Sequence, residues 1–183
     1  RKSVCTDQLV EKVEYNYDLA GRMTQRLYKL ADDSIESTDT FTYDAASRPL
    51  SATKGRYNNT VSYTYDGIGR QKTEKLTTNG QSYTTECSYD LDSRVSTCEY
   101  PNGDIVTKTY TNRSQLETLN FNAASIADFT YDNGMRESSR TFGNNLVATK
   151  SYNADNTLDS VSVAGKDDLS FSYNYDANKN VLS

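Results

Sequence analysis

A tyrosine–aspartate pair recurs along the whole chain at nearly constant spacing. Six complete pairs are present, and they are Tyr17-Asp18, Tyr43-Asp44, Tyr65-Asp66, Tyr89-Asp90, Tyr131-Asp132 and Tyr175-Asp176. Two degenerate copies, Tyr110-Thr111 and Tyr152-Asn153, fill the gaps, so successive tyrosines are 26, 22, 24, 21, 21, 21 and 23 residues apart. Self-similarity at a fixed period of about 20–50 residues is the signature of repeat architectures. The spacing therefore predicts that residues 1–183 form a single array of about eight repeats.

The copies agree at further positions, counted here from the tyrosine as position 0. Position +5 is an arginine in five copies, namely Arg22, Arg48, Arg70, Arg94 and Arg136. Position +4 is small in five copies, namely Gly21, Ser47, Gly69, Ser93 and Ser114. Position −2 is aromatic in five copies, namely Tyr15, Phe41, Tyr63, Phe129 and Tyr173. Aromatic side chains two residues apart lie on one face of a strand, and an aspartate after them can accept hydrogen bonds from downstream amides in a turn.

Each repeat is predicted to contain two antiparallel strands and two turns. Alternation of apolar and polar residues resumes after position +5, and a second turn signal such as Asn79-Gly80 closes the unit. Eight units make about sixteen strands, and open twisted sheets rarely exceed about ten strands without curling. The predicted fold is all-β, an array of hairpins in a curved, spiralling sheet that forms a segment of a hollow β-shell. The best helical candidate, residues 4–13, fits a strand or loop equally well.

Composition agrees with a sheet that has polar faces. The chain has 15 Tyr, 5 Phe and no Trp, and only 35% of its residues are hydrophobic. Thr and Tyr favour strands, whereas Ser and Asn favour turns. The net charge of −5 is too modest for a disordered polyanion, and no basic stripe is present, so nucleic acid is not an expected partner. No stretch approaches the length of a membrane helix.

The motif Tyr-x-Tyr-Asp-x-x-Gly-Arg resembles the YD repeat of the RHS (rearrangement hot spot) proteins. The segments "YNYDLAGRM" at residues 15–23 and "YTYDGIGRQ" at residues 63–71 match it almost letter for letter. The family includes bacterial polymorphic toxins, shell components of Tc toxins, and teneurins. The resemblance implies a secreted or cell-surface parent whose hairpins build a hollow shell. Its partners would be the remainder of that shell, an enclosed toxin polypeptide or an adhesion partner, and some family members are associated with carbohydrate.

One family feature is missing from this sequence. Toxin-releasing members carry an aspartate-based self-cleavage motif rich in Asp-Pro and Gly, but neither Pro49 nor Pro101 follows an aspartate here. That activity cannot be placed on this chain. The motif also starts and stops abruptly at the two ends, so the chain is expected to be a fragment of a longer protein. Open sheet edges would then favour self-association.

The repeated polar residues have two interpretations. Asp66 and Arg70 could hold a polar ligand such as a sugar. Alternatively, the aspartate caps the turn while the arginine bonds the carboxylate or carbonyls, or stacks on a neighbouring tyrosine. Exposed tyrosine rows could likewise bind carbohydrate or pack across strands. Because the pattern recurs in every unit, the architectural interpretation is favoured for both.

Neither catalysis nor a bound cofactor is expected. The chain has no His, no phosphate-binding loop and no zinc-ligand spacing. The segment at 176–180 imitates the start of a calcium loop, but Val181 stands where such a loop requires Gly. No catalytic, cofactor-binding or metal-binding residue is therefore predicted.

Three cysteines are present, so at most two of them can pair within one chain. Cys87 and Cys98 lie symmetrically about the turn of the Tyr89 repeat, where they could face each other across a hairpin. They form a disulfide if the protein is exported, or they fill a strand face as small apolar residues if it is not. Cys5 would remain free in either case.

Overall fold

The computed structural model describes residues 12–165 and 169–182. These residues fall into two compact units, the first with residues 12–88 and 99–103, the second with residues 89–98, 104–165 and 169–182. Cys5 lies outside the described residues. So does the candidate helix at residues 4–13, except for its last two residues, which are in a strand.

The first unit contains the first seven strands and one short 3-10 turn. The strands are β1 (Lys12–Tyr17), β2 (Met23–Lys29), β3 (Ile35–Tyr43), β4 (Pro49–Lys54), β5 (Asn59–Tyr65), β6 (Gln71–Thr78) and β7 (Gln81–Tyr89, whose last residue belongs to the second unit). The 3-10 turn is η1 (Gly55–Tyr57), between β4 and β5. Within the series from β1 to β7, neighbouring strands along the chain pair in antiparallel fashion.

The second unit continues the same pattern. Its strands are β8 (Val95–Glu99, whose last residue belongs to the first unit), β9 (Ile105–Tyr110), β10 (Leu116–Phe121), β11 (Ala124–Tyr131), β12 (Glu137–Phe142), β13 (Val147–Tyr152), β14 (Leu158–Ala164) and β15 (Leu169–Ser172). From β9 to β15 each strand is antiparallel to the next. A separate pair, β16 (Asn174–Tyr175) and β17 (Val181–Leu182), holds the last tyrosine–aspartate turn. The all-β, antiparallel hairpin fold predicted from the repeat is confirmed, and the described residues contain no α-helix.

In six repeats the two strands that flank the tyrosine turn have a bulge beside the tyrosine, whereas the last pair, β16 and β17, keeps a regular register. The tyrosine at position 0 pairs with position +6, as Tyr65 does with Gln71, while Thr64 pairs with Thr73. Position +7, here Lys72, is therefore left without a cross-strand partner. One extra residue on one strand is the definition of a β-bulge, and it increases the local twist.

The second turn of each repeat is more variable. Asn79 and Gly80 both have positive φ (49° and 75°), as a two-residue type I′ hairpin requires. Asn122 and Ala123 form a similar turn with φ of 48° and 65°, although Ala gives no sequence signal for it. Between β4 and β5 the connection is instead η1 followed by Asn58 in the left-handed region.

The sheet has a face of paired hydroxyl groups. Positions −1 and +8 are cross-strand neighbours, and their hydroxyls lie within hydrogen-bonding distance of each other. These pairs are Thr42–Ser51 (2.6 Å), Thr64–Thr73 (2.7 Å), Thr109–Thr118 (2.8 Å), Thr130–Ser139 (2.8 Å) and Ser151–Ser160 (2.7 Å). Cross-strand Thr–Thr and Thr–Ser pairs contribute about 0.2–1 kcal/mol each. These pairs give part of the Ser and Thr content a structural role in a chain with few apolar residues.

Deep burial is rare in the described residues. Among them, Ala127 is the one buried hydrophobic residue, at 4% exposure, and Asp39 is the one buried charged residue, at 2%. Stability therefore depends less on a closed apolar core than on contacts between neighbouring hairpins, as expected for a repeat array.

Candidate functional site: the tyrosine–aspartate turns

Each complete turn is closed by its own aspartate and arginine. The Asp66 carboxylate accepts hydrogen bonds from the Ile68 amide (3.0 Å) and the Arg70 amide (2.9 Å) through Oδ1. Its Oδ2 accepts from the Arg70 Nε at 2.6 Å. The backbone adds two bonds, from the Asp66 amide to the Arg70 carbonyl (2.8 Å) and from the Gly69 amide to the Asp66 carbonyl (3.0 Å). The side chains thus lock a hairpin whose backbone is already hydrogen-bonded.

The same bonds recur in the other copies with hardly any change. Oδ2 of the aspartate accepts from Nε of the arginine at 2.6 to 2.7 Å in four more turns, which are Asp18–Arg22, Asp44–Arg48, Asp90–Arg94 and Asp132–Arg136. In the last turn Asn180 takes the arginine's place, and its Nδ2 donates to Asp176 at 2.9 Å. The aspartate–arginine hydrogen bonds, in which both groups are charged, are about twice as strong as neutral ones.

Position +4 adopts the left-handed conformation in all eight copies. Gly21 and Gly69 have φ of 76° and 92°, whereas the other copies have side chains there, at Ser47, Ser93, Ser114, Met135, Asn156 and Lys179, with φ between 64° and 70°. A turn followed by one left-handed residue is the usual three-residue hairpin loop. The preference for a small residue at +4 reflects this backbone requirement.

The turn geometry lowers the pKa of the aspartates. For Asp18 and Asp44 the main cause is the backbone amide of the arginine, and for Asp132 it is the Arg136 side chain. For Asp66 and Asp90 partial burial raises the pKa most strongly, but the combined hydrogen bonds from the arginine outweigh it. A lowered pKa keeps these carboxylates ionised at neutral pH, as a charge-locked turn requires.

The arginine also reaches the next repeat. Its guanidinium lies over the next position-0 tyrosine in four joints, at 5.0 Å for Arg22–Tyr43, 4.4 Å for Arg48–Tyr65, 4.6 Å for Arg94–Tyr110 and 4.6 Å for Arg136–Tyr152. Arg22 Nη1 donates in addition to the Asp44 carbonyl (2.9 Å) and the Ser47 hydroxyl (3.1 Å). One guanidinium therefore braces its own turn and stacks on the following one.

The tyrosine completes the joint in the opposite direction. Its hydroxyl donates to the carbonyl at position +6 of the preceding repeat, at distances between 2.7 and 3.0 Å. These bonds are Tyr43 to Met23, Tyr65 to Pro49, Tyr110 to Val95, Tyr131 to Leu116, Tyr152 to Glu137 and Tyr175 to Leu158. Tyr89 ends β7 and is half-buried. Because both ends of the motif are engaged between repeats, the structure uses it as an inter-repeat joint.

The degenerate copies keep the turn but weaken the lock. Thr111 replaces the aspartate, and its hydroxyl accepts from the amides of Arg113 and Gln115 at 3.3 and 3.2 Å. In the other copy, Asn153 donates from Nδ2 to the Thr157 hydroxyl at 2.9 Å. Neither copy has a charge pair at these two positions. The hairpin geometry thus persists without the ion pair.

Cys87 and Cys98 are both disulfide-bonded in the structure. Cys87 lies in β7 and Cys98 in β8. That they bond each other remains the prediction made from the sequence.

An ionic cluster around the buried Asp39 carboxylate was not predicted from the sequence. Asp39 accepts from Arg26 Nη2 (2.6 Å), the Tyr28 hydroxyl (3.2 Å) and the Gly55 amide (3.0 Å). A Cβ on Gly55 would lie 2.1 Å from the Thr38 carbonyl oxygen, so only glycine fits there. The sequence offered one signal for this cluster. Asp39 lies two and four residues before Phe41 and Tyr43 in β3, so it shares their face of the strand. The Asp39 carboxylate accepts from all three of these groups, so the cluster holds neighbouring elements together.

No cluster suited to a metal ion is found among the described residues, which include no group of three or more acidic or cysteine ligands. None of the helices in that part of the chain has the length and apolar character needed to cross a membrane. An aromatic groove of about 550 Å³ does run between two repeats of the first unit. Phe41, Tyr43, Tyr63 and Tyr65 line it, together with Glu74.

Comparison with known proteins gives matches at the level of structure. No protein-family model matches the sequence, and no curated protein matches it either. The crystal structure of TcdB2-TccC3-TEV is similar with a TM-score of 0.51 and 14% identity over 97% of this chain. Those of TcdB2-TccC3-Cdc42 and TcdB2-TccC3 are similar with TM-scores of 0.50, at 14% and 13% identity over 97% and 93% of this chain.

The match covers only 12–14% of the length of those chains. At such low identity the comparison concerns the fold and not the activity. The antiparallel hairpin array described above is therefore an architecture that this chain shares with part of TcdB2-TccC3.

Proposed function

We propose that this chain is a structural segment of a β-shell, in a secreted or surface protein of the RHS/YD-repeat type whose parent encloses a toxin polypeptide or mediates adhesion. The observation that carries the proposal is the repeated joint. In each of four joints a guanidinium covers the next tyrosine, and in six the tyrosine hydroxyl bonds the preceding repeat. The most regular polar residues of the sequence thus hold repeats together.

The joint is suited to building a wall of any length. Where the arginine is present, a repeat contributes it to the next repeat, and it also contributes a carbonyl that accepts from the tyrosine hydroxyl of that next repeat. Stability in such arrays is approximately a sum of repeat and interface contributions, so units can be added without redesigning a core. The fold shared with part of TcdB2-TccC3 supports this role, because the family resemblance of the motif and the fold comparison both agree with a shell-type architecture.

Enclosure of a polypeptide is tested on the full-length protein that contains this chain. Electron microscopy of the purified protein is expected to show a closed, hollow particle, and protease treatment is expected to leave an internal segment intact until the shell is denatured. An open or solid particle, with every segment digested at the same rate before and after denaturation, contradicts the proposal.

A carbohydrate-binding role is the second candidate, and the aromatic groove of the first unit favours it. Flat aromatic rings beside a carboxylate suit the apolar faces and hydroxyls of a sugar. Tyr43 and Tyr65 are already occupied by the arginines of their joints, so Tyr63 and Phe41 are the rings more open to a ligand.

A glycan array separates the two candidates. Sub-millimolar binding that is lost in Tyr63→Ala, but retained in Tyr83→Ala outside the groove, would establish the carbohydrate role. Absence of binding by the folded wild-type chain would eliminate it. The shell proposal does not depend on this result.

A further inference from the structure

The joint between the Tyr110 and Tyr131 repeats lacks its arginine. In the four joints described above, a guanidinium lies 4.4 to 5.0 Å from the centre of the next tyrosine ring. Arg22 and Arg94 also donate to the carbonyl that follows that tyrosine, at 2.9 Å to Asp44 and 3.4 Å to Thr111. The array therefore has a recurring position for a planar cation.

Gln115 stands where this joint would have the arginine, and it does not fill the position. Its Nε2 donates to the Met135 carbonyl at 2.7 Å, three residues beyond the carbonyl that the arginines use. Within the described residues no guanidinium covers the Tyr131 ring, and the Asp132 carbonyl accepts a hydrogen bond only from the Met135 amide. The ring and carbonyl that receive an arginine elsewhere are thus available here.

An open groove of about 450 Å³ occupies this place. Gln115, Tyr131, Asp132 and Glu117 are among the residues that line it. Such a volume accommodates a small planar group together with part of the chain that carries it.

The charges along the groove favour a cation. The Glu117 carboxylate has one hydrogen bond in the described part of the chain, from the Thr109 hydroxyl at 3.3 Å, and no ion pair there. Asp132, by contrast, is neutralised by Arg136 at 2.6 Å. Arg113 also borders the groove, but its Nη1 is engaged by the Asn133 carbonyl at 3.2 Å. Glu117 is therefore the carboxylate left to pair with a bound cation.

We propose that this groove binds a guanidinium group, which takes the position that an arginine of the chain occupies in the other joints. The group stacks on Tyr131 and donates to the Asp132 carbonyl and the Glu117 carboxylate. A guanidinium suits these partners better than an ammonium, because it is planar, stacks on aromatic rings and presents several donors in fixed directions. This site is independent of the shell function proposed above.

The proposal is tested by nuclear magnetic resonance titration of the ¹⁵N-labelled full chain. Agmatine represents a free small ligand, and the peptide Gly-Arg-Gly represents an arginine of a polypeptide, with Gly-Lys-Gly as the ammonium comparison. Saturable shifts are expected at the amides of Gln115, Tyr131 and Asp132, and they should be several-fold smaller at equal concentration of Gly-Lys-Gly. Stronger binding of either guanidinium compound identifies its source as the natural ligand.

Three variants make the test specific. Gln115→Arg supplies the missing guanidinium from the chain, so it should abolish the shifts and raise the melting temperature. Glu117→Gln should weaken binding several-fold. Arg94→Gln should create a second site at Tyr110, with new shifts there.

Two results overturn the proposal. One is unchanged binding by the folded Gln115→Arg variant, since the site would then lie elsewhere. The other is a titration of the wild-type chain in which no amide shifts, or in which the shifts are spread evenly over all repeats.

Discussion

At the scale of single residues, each member of the motif has a defined hydrogen-bonding or stacking partner. The Asp66 carboxylate holds two backbone amides and the Arg70 guanidinium. The Tyr65 hydroxyl bonds the preceding repeat, and its ring is covered by Arg48. A residue used in this way is constrained by its neighbours and not by a ligand.

Acid should weaken these turns. Because folding lowers the pKa of Asp66, its stabilising effect is complete above the ordinary aspartate pKa of about 3.9 and disappears as the pH falls below that value toward the lowered pKa. We expect Asp66→Asn to lower the melting temperature by a few degrees at pH 7. The variant should also lose less stability than wild type between pH 5 and pH 2, because one titrating group is gone, as thermal melts by circular dichroism at each pH would measure.

Gly67→Ala is the matched control in the same turn. A Cβ at this position meets nothing within 4 Å, so the variant should keep the wild-type pH dependence. If Asp66→Asn and wild type lose stability in parallel on acidification, the ion pair does not lock the turn.

The turn itself could be predicted from sequence, and stacking of the arginine on a neighbouring tyrosine was one of the arrangements it allowed, but the sequence did not select among them. The Asp–x–x–Gly–Arg spacing encodes a local loop, since all its bonds join residues at most four apart. The stacking of Arg94 on Tyr110 depends instead on how one hairpin lies beside the next. Such placement follows from the bulge and register of the strands, which the sequence pattern does not specify.

At the scale of the hairpin, a non-glycine residue in the left-handed conformation at +4 is a source of backbone strain. Non-glycine residues cost about 1–2 kcal/mol in this conformation. Glycine avoids that cost, but part of the advantage is cancelled because glycine loses more conformational entropy on folding. Met135 has φ of 64° and an exposed side chain. We expect Met135→Gly to raise the free energy of unfolding by about 0.5–1 kcal/mol, measured by urea denaturation.

Met135→Ala separates the backbone effect from loss of the side chain. It keeps the cost of positive φ and removes only exposed atoms, so it should change stability by less than about 0.5 kcal/mol. Equal stabilisation by alanine and glycine would show that the conformation at +4 is not the cause.

The cysteines fit the cross-strand register of the other hairpins. Positions −2 and +9 are paired in six repeats, as Tyr63 is with Glu74. Cys87 and Cys98 occupy these two positions of the Tyr89 repeat. We therefore expect them to bond each other, and reduction should lower stability by about 2–4 kcal/mol.

Mass spectrometry after alkylation checks this pairing. Denatured protein should take up at most one alkyl group without reductant and three with it. Three labels without reductant would exclude the bond, and a Cys5 peptide cross-linked to either cysteine would exclude the pairing.

At the scale of the whole molecule, Tyr17 in β1 differs from the tyrosines of the six hydroxyl-bonded joints described above. Tyr17 is 60% exposed and has neither an arginine over its ring nor a bonded hydroxyl in the described part of the chain. Open strand edges favour pairing with another chain. Light scattering is expected to show a mass that rises with concentration, and less so for Tyr17→Lys. A constant monomeric mass at high concentration contradicts this expectation.

At this scale, the features that could be predicted from the sequence are the ones that recur in every repeat. The eight-fold spacing predicted an all-β hairpin array, because every unit repeats the same local signals. The Asp39 cluster, by contrast, occurs once in the array. The partners of Asp39 come from β2 and from the turn after β4. A contact that occurs once, between distant residues, leaves no periodic trace and could not be inferred.

The central claim is that the motif couples neighbouring repeats, and a double-mutant cycle tests it most directly. Arg94→Met and Tyr110→Leu, singly and together, should show a coupling free energy of about 0.5–1 kcal/mol in urea denaturation, since the guanidinium lies 4.6 Å from the ring centre. Arg94→Met with Tyr152→Leu, a pair from different joints, should be additive. Additive effects of Arg94 and Tyr110 would contradict the account.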